Sequence, residues 1–544
     1  MAAAIHSSIA FAQQTTDPGR VDERLRARPD VPPVGAIDLP EVQFQAAVPD
    51  SGLSVTLTAV RFEGASAVPP EALEALAAPY LGREMPLSEV FRLAEEVTAE
   101  YRRRGFVLSR AIVGPQRIEG GVLTIQIVEG FIDRTTIEGK AGGYRPFLDA
   151  YLAPVRGGRP TTGDDLARAL LLARDLEGVE VRAVLAPSPD IAGAADLSLV
   201  VNRRPLEGFV AFDNRGSRWL GPLQIYGGMV LNDLLGGGER LAITGVAAPD
   251  HGGELGFLST TYDQPIGGSG LRAGTFVSYV RTRPGGELRA LGLEGKSLTG
   301  GATLQYPLIR SRDANLLGRL TFTVRDSQSF NLALDPIFRD KTRTLSAEAI
   351  ANQATPWGAH LTLRLSITRG LDVLGATEAA DPAKSRATAS GQFTRVNVET
   401  EWVQRLYGGL HLLLGGAAQA SHDSLLASEE FGLGGTQFGR AFDPSEITGD
   451  EGFAGKVELF YTHPAFRSGA VEPFVYYEGG QVQQNDALPG EALRASLESL
   501  GAGVRLSFAG GVAASIEYAK PFDRDVAANG DRDGRAFVSF SAAY

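Results

Sequence analysis

"HLTLRLSITRG", residues 360–370, sets Leu361, Leu363, Leu365 and Ile367 on one side of an extended chain and Thr362, Arg364, Ser366 and Thr368 on the other. A repeat of two is the period of a strand, whose successive side chains point to opposite faces. "TRVNVETEW" (394–402) repeats the pattern, with Val396, Val398 and Trp402 opposing Arg395, Asn397, Glu399 and Glu401. "RLTFTVRD" (319–326) and "KVELFYTHP" (456–464) follow it too. One such strand fits two surroundings. In a soluble sandwich the apolar face is the core and the polar face is wet. In a membrane barrel the apolar face meets lipid and the polar face lines a lumen.

The extent of the pattern favours the second. From residue 207 to Tyr544 helical periodicity is gone, and only such strands with Gly- and Pro-bearing turns remain. That suits one large closed barrel better than stacked sandwiches. The last strand, "RAFVSFSAAY" (535–544), puts Ala536, Val538, Phe540, Ala542 and Tyr544 on one face and ends in an aromatic, the usual form of bacterial outer-membrane barrels. No window reaches the roughly 18 apolar residues of a spanning helix.

The rest of the chain has a different texture. "MAAAIHSSIAFAQQ" carries Ala10-Phe11-Ala12, a small-x-small site after a weakly apolar stretch, so residues 1–12 read as the remnant of an export signal. Residues 13–54 hold one short helical candidate, "DPGRVDERLRAR" (17–28), then a proline-rich linker, "PDVPPVGAIDLPE" (29–41), that cannot sustain a helix. Between 55 and 206 a unit is duplicated. The first copy (55–131) has a strand over 54–64, helices over 69–82 and 86–105, and strands over 106–114 and 121–130. In its second helix Leu87, Val90, Phe91, Ala94, Val97 and Tyr101 recur on one face. The second copy (132–206) repeats the order: strand 134–140, helices 145–154 and 162–178, strands 179–187 and 196–205. Each is a β-α-α-β-β module whose small sheet leaves an edge able to accept a partner strand.

Composition excludes more than it suggests. A net charge of -12 predicts no general attraction to nucleic acid. The absence of cysteine removes disulfides, thiol nucleophiles and thiolate metal sites, and suits an oxidising envelope compartment. His6, His251, His360, His411, His422 and His463 never fall in an HxxxH or HExxH spacing, so no metal site is expected. "GGTQFGR" (434–440) lacks the Walker pattern, and no helix follows it whose N-terminus would hold phosphate. No enzyme and no cofactor are expected. The pairs Gly227-Gly228, Gly267-Gly268 and Gly300-Gly301 read as turns or bends.

Four separated stretches carry a resemblance: "VLSRAIVGPQRIEGGVLTIQIVEGFI" (107–132), "FVAFDNRGSRWLGPLQIYGGMVLNDLLGGGERL" (209–241), "YDQPIGGSGLRAG" (262–274) and "GGTQFGRAFDPSEITGDEGFAGKVELFY" (434–461). In order and content they resemble the outer-membrane transporter of two-partner secretion, of the haemolysin-activator and filamentous-haemagglutinin-transporter type. The resemblance implies two periplasmic POTRA domains of α+β type (55–131 and 132–206). An antiparallel transmembrane barrel of 16 strands follows (207–544), with a long loop near 431–453. It implies that the helix at 17–27 plugs the lumen at rest. It implies secretion of an unfolded exoprotein with a haemagglutinin-type secretion domain, without nucleotide hydrolysis, across the bacterial outer membrane. Outer-membrane lipid and the barrel assembly machinery are further implied partners. The alternative is an assembly factor that inserts other barrels, built on the same plan but usually with more POTRA modules.

The family's long loop carries an Arg-Gly-aromatic tip that folds into the lumen and meets an acidic residue on the inner wall. Here the resemblance places that tip at Phe438, Gly439, Arg440, Ala441 and Phe442, with alanine in the glycine's place. Glu478 in "FVYYEGG" (474–480) takes the acidic position, with Asp443 and Glu446 as nearby rivals. A guanidinium in a barrel interior needs a carboxylate, because an unpaired buried charge is costly. For cargo recognition the expected region is Phe106, Val107, Leu108, Arg110 and Ile112 with the preceding helix, ordinary sheet packing being the other reading of the same residues.

Overall fold

The computed structural model describes residues 15–26, 53–157, 160–249, 253–331, 335–465, 469–487 and 492–544. The export-signal remnant at 1–12 and the proline-rich linker at 29–41 lie outside these residues.

Alternating sequence becomes a closed antiparallel barrel running from Leu206–Asp213 to Arg535–Ala543, whose ends pair with each other. It has sixteen strands. Glu451–Tyr461 and His463–Ala465 form a single strand broken at Thr462, since both pair with Gly469–Gln483. The two faces of the opening stretch separate as its period demands. Leu363, Leu365 and Ile367 stand outward and exposed, while Arg364 turns inward and pairs with Glu348 at 2.7 Å. The same division puts Val475 and Tyr477 outside and Phe474, Tyr476 and Glu478 inside. Closure removes every strand edge that a hydrocarbon layer would leave unsatisfied.

Two of the three Gly-Gly pairs are not turns. Gly227-Gly228 lies within the strand Gln224–Asn232 and Gly300-Gly301 within Glu294–Arg310; only Gly267-Gly268 is a turn. The reason is packing. The ring of Phe209 lies where a side chain on Gly228 would stand, and the ring of Phe276 does the same over Gly301. A missing Cβ inside a strand gives an aromatic neighbour room to lie flat.

Both modules have the expected element order. In the first, Ala59–Glu63 pairs in parallel with Val122–Val128, which pairs antiparallel with Arg110–Ile112. In the second, Phe131–Gly139 pairs in parallel with Ala194–Arg203, which pairs antiparallel with Val179–Pro187. Each sheet is covered on one face by two helices, Pro70–Ala77 and Leu87–Arg103 in one, Arg145–Leu152 and Gly163–Arg174 in the other. The face that Leu87–Arg103 buries is Val90, Leu93, Ala94, Val97 and Tyr101, slightly rotated from the expected one, with Leu93 gained and Phe91 only half-buried.

Glu129 fastens the first module. Its carboxylate accepts the backbone N–H of Ser66 and of Ala67, both at 2.7 Å, the Ser66 hydroxyl, and the Tyr101 hydroxyl at 2.9 Å. Burial alone would raise this carboxyl; the four donors outweigh it and hold Glu129 below the usual carboxylate range.

The second module is fixed to the barrel rim. Arg310, at the end of its strand, grips Asp175 through two bonds of 2.7 Å. Glu177 pairs with Arg240 and, at 3.3 Å, with Arg272. Asp233, in the turn after the strand Gln224–Asn232, accepts the N–H of Gly143 at 3.1 Å and pairs with Arg203.

Candidate functional site

Two elements lie inside the barrel: a loop and a short helix. The loop begins with Phe431–Leu433 paired antiparallel to Ile447–Gly449, so its stem is a small hairpin of its own. Its tip turns tightly, with the N–H of Gly434 bonded to the Phe438 carbonyl at 3.0 Å and that of Phe442 to the Gly439 carbonyl at 2.9 Å. Gly434, Gly435 and Gly439 have φ of 111°, 92° and 82°. This left-handed backbone is what glycine supplies at little steric cost.

The tip carries Arg440 to the inner wall. Its Nε lies 3.3 Å from Glu478 and its Nη2 2.9 Å from Glu458, and its backbone N–H also donates to Glu478. The guanidinium lies over the Tyr476 ring, 3.4 Å from the centroid. Glu478 accepts from the Ser499 hydroxyl at 2.9 Å, and Glu458 takes Arg505 at 2.6 Å. Buried charge is therefore matched on every side, as a low-dielectric interior requires. Tyr476 donates to Glu517 at 2.7 Å, and Glu517 holds Arg215 at the same distance.

The structure brings together the expected pair, Arg440 and Glu478. The rivals have other work. Asp443 pairs with Arg535 at 2.8 Å, and Glu446 accepts the N–H of Ala527 at 2.5 Å. Ala441 is fully buried against Leu433, Ile447 and their neighbours, and the left-handed position falls on Gly439 instead. Alanine is thus accommodated where the family has glycine. Phe442 is buried in the same cluster, and Phe438 is half-buried against Lys456. Sequence reasoning missed Glu458 and the ring of Tyr476. Alternation marks Glu458 as an inward position of "KVELFY", but only strand pairing places it opposite Tyr476, two residues from Glu478.

The helix is Pro18–Leu25, with Asp17 capping the Arg20 N–H at 2.9 Å and proline at its first position. Val21 packs on a patch of lumen wall formed by Leu220, Val246, Leu255, Phe257 and Val280. Gly19 lies against Ser327 and Ser428, where a side chain would collide. Arg20 reaches the loop, donating to the Ala427 carbonyl at 2.5 Å and pairing with Glu430 at 3.6 Å. Asp22 accepts from Ser278 of the wall. Glu23 lies 3.8 Å from Arg325 and 3.5 Å from Arg395. The helix thus bridges wall and loop across the lumen.

The expected cargo region is divided by the structure. The strand expected over 106–114 is shortened to Arg110–Ile112, because Gly105 (φ 90°) ends the helix and Phe106–Ser109 turn back on it. Val107 touches Gly163 and Leu108 packs on the core of the second module, so both belong to the joint between modules. Phe106 leans on Tyr101, their ring centroids 6.0 Å apart. Arg110 and Ile112 remain on the sheet edge, where Thr98 accepts the N–H of Ala111 at 3.0 Å. The longer edge strands are Phe131–Gly139 and Val179–Pro187 of the second module.

No group of metal-binding side chains occurs among the described residues, and no described helix is long and apolar enough to cross a membrane.

Comparison with known proteins agrees with this geometry. Residues 193–506 match the family model "Haemolysin secretion/activation protein ShlB/FhaC/HecB", and residues 55–130 match "POTRA domain, ShlB-type". The chain is similar to the heme/hemopexin transporter protein HuxB of Haemophilus influenzae (strain 86-028NP), 24% identical over 453 residues that cover 82% of this chain and 80% of that one. It is also similar to the outer membrane transporter CdiB of Dickeya dadantii, 24% identical over 417 residues, covering 75% of this chain and 72% of the other. Among solved structures, CdiB from Escherichia coli shares the fold with a TM-score of 0.72 at 20% identity, over 99% of this chain and 98% of that one. The chain belongs to the haemolysin secretion/activation family ShlB/FhaC/HecB, the outer-membrane transporters of two-partner secretion, with its POTRA modules in the periplasm.

Proposed function

We propose that this transporter receives an unfolded exoprotein with a haemagglutinin-type secretion domain in the periplasm, and passes it through the barrel lumen without nucleotide hydrolysis or any other enzymatic step. One observation carries this reading: a helix encoded ahead of the modules lies inside the barrel, bonded to the wall on one side and to the inward loop on the other. Such a helix closes the lumen at rest and leaves when cargo arrives. The loop, held by Arg440 on Glu478 and Glu458, stays as a fixture of the wall. Cargo docks as an added strand at an exposed sheet edge of the modules, where main-chain bonds give affinity. Within the first module that role falls to Arg110–Ile112. The outward apolar residues are matched to outer-membrane lipid, and the barrel assembly machinery inserts the chain there.

The test is co-expression with an exoprotein of that type. Secretion into the medium is expected with the intact chain and is expected to fall with Arg440→Ala. Secretion unchanged by that substitution, in a protein that still folds, would remove the loop from the reading.

A further inference from the structure

The inner wall is lined with charges of both signs. Arg272, Arg319, Arg325, Arg364 and Arg395 project inward from four strands between Leu271–Thr282 and Thr394–Tyr407. Glu458, Glu478 and Glu517 project inward from strands on the other side. The helix Pro18–Leu25 is laid across this field. Its Arg20 faces Glu430 of the loop, and its Asp22 and Glu23 face the arginines.

Two of those arginines share a small set of acids. Arg325 pairs with Glu429 at 2.9 Å, with Glu23 at 3.8 Å and with Asp22 at 3.9 Å. Arg395 pairs with Glu429 at 3.3 Å and with Glu23 at 3.5 Å. The helix carboxylates are thus the longer and looser partners, and Glu429 is the closer one. Both arginines are buried and inward, and each keeps a buried Nε–H without an acceptor among the described residues. With the helix present, the two guanidinium groups face three carboxylates. Without it, two guanidinium groups remain against one carboxylate, and their donors face the opened lumen.

From this we infer that Arg325 and Arg395 form a carboxylate-binding shelf for a translocating chain, and that Asp22 and Glu23 of the helix occupy it at rest as stand-ins for acidic side chains of that chain. The inference rests on the reading of the helix as a removable plug. The occupant is an extended peptide segment bearing Asp or Glu. A peptide already seated there through Asp22 and Glu23 demonstrates the fit, and the planar fork of arginine suits carboxylates. The shelf therefore biases the lumen toward acidic cargo segments.

The test is channel block in planar bilayers. Protein lacking residues 15–26 is titrated with three eight-residue peptides: Asp–Ser, Lys–Ser and Gly–Ser repeats. The acidic peptide is expected to block at about one-tenth the concentration of the uncharged one, as one or two charge-assisted hydrogen bonds would give. In R325Q/R395Q this preference should shrink to about twofold or less, while R325K/R395K should keep most of it. Folding is checked by heat-dependent gel mobility. Should the double glutamine variant fail to assemble, either single variant is expected to lose about threefold. An acid preference that is absent, or that survives R325Q/R395Q, overturns the shelf and leaves the plug reading intact. A helix-deleted protein that conducts no current overturns both, because nothing has then been uncovered.

Discussion

The loop and the helix occupy the same lumen and are held by opposite bonding styles. Arg440 meets two carboxylates and an aromatic ring, each carboxylate has a second donor, and the contacts are short. The helix is held by Arg20 on the Ala427 carbonyl, by the Ser278 hydroxyl on Asp22, by Val21 on the wall, and by carboxylates 3.5 to 3.9 Å from their arginines. A satisfied buried network costs several kcal/mol to break at one member. Ion pairs stretched to 3.5–3.9 Å attract less strongly than hydrogen-bonded ones. The first arrangement makes a fixture and the second makes a detachable part.

The comparison is most directly broken at its stronger side. Arg440→Ala leaves buried Glu478 with only the Ser499 hydroxyl and the backbone N–H of position 440, while Glu458 keeps Arg505, and is expected to destabilise the barrel by about 3–5 kcal/mol. The midpoint of heat-induced loss of the folded gel form measures this, and a change near zero would mean the clamp is not what holds the loop. Next in size is Arg20→Ala. It removes the helix anchor and leaves the barrel frame intact, at a cost to helix seating of about 1–3 kcal/mol. Bilayer recordings should show openings more frequent by about tenfold or more with no shift in barrel melting. If Arg20→Ala lowers barrel melting as much as Arg440→Ala does, the distinction between fixture and detachable part fails.

Outside the lumen, Glu129 offers a third kind of hold, a carboxylate fastened by neutral donors. Its folded-state pKa is depressed, so its contribution is present above the unfolded value and is lost as pH falls through the folded one. The protection of the Ser66 and Ala67 amides against hydrogen exchange, taken relative to the intrinsic rate at each pH, should therefore fall on acidification below the usual carboxylate range. Glu129→Gln, at about 1 kcal/mol, should remove that pH dependence. Protection that ignores pH would show that the carboxylate charge is immaterial there. The smallest effect is expected for Ala441→Gly, under about 1 kcal/mol, since the left-handed turn lies at Gly439 and only one buried methyl is lost. A large loss of melting temperature would mean that Ala441 fixes the loop's seat.

Much of this was legible because barrel strands carry their orientation in a period of two. Once Leu363 and Arg364 are assigned to opposite faces, the lipid side and the lumen follow along the whole strand. Arg440 was legible for a related reason, a lone cation in a Gly-rich loop that must find an acid. Its full partnership was not, because Glu458 and Glu478 become neighbours only through strand register, which no single segment encodes. The glycine pairs misled for the same reason: Phe209 and Phe276, which fill the space beside Gly228 and Gly301, come from adjacent strands. In the first module, alternation through "FVLSRAIVG" suggested a strand. The apolar character of Val107 and Leu108 instead answers to the second module, a contact between units invisible within either one.

The grip of Arg310 on Asp175 has a mechanical meaning. Two parallel bonds between a planar fork and a carboxylate resist twisting as well as pulling. With Glu177 held by Arg240 and Arg272 close by, the second module meets the rim with an angular stop in place of a swivel. Torque on the module is passed to the ends of the strands Leu271–Thr282 and Glu294–Arg310, the flank from which the inward arginines begin. Whatever the module holds therefore arrives at the rim on one fixed bearing, beside Arg240, Arg272 and Arg310.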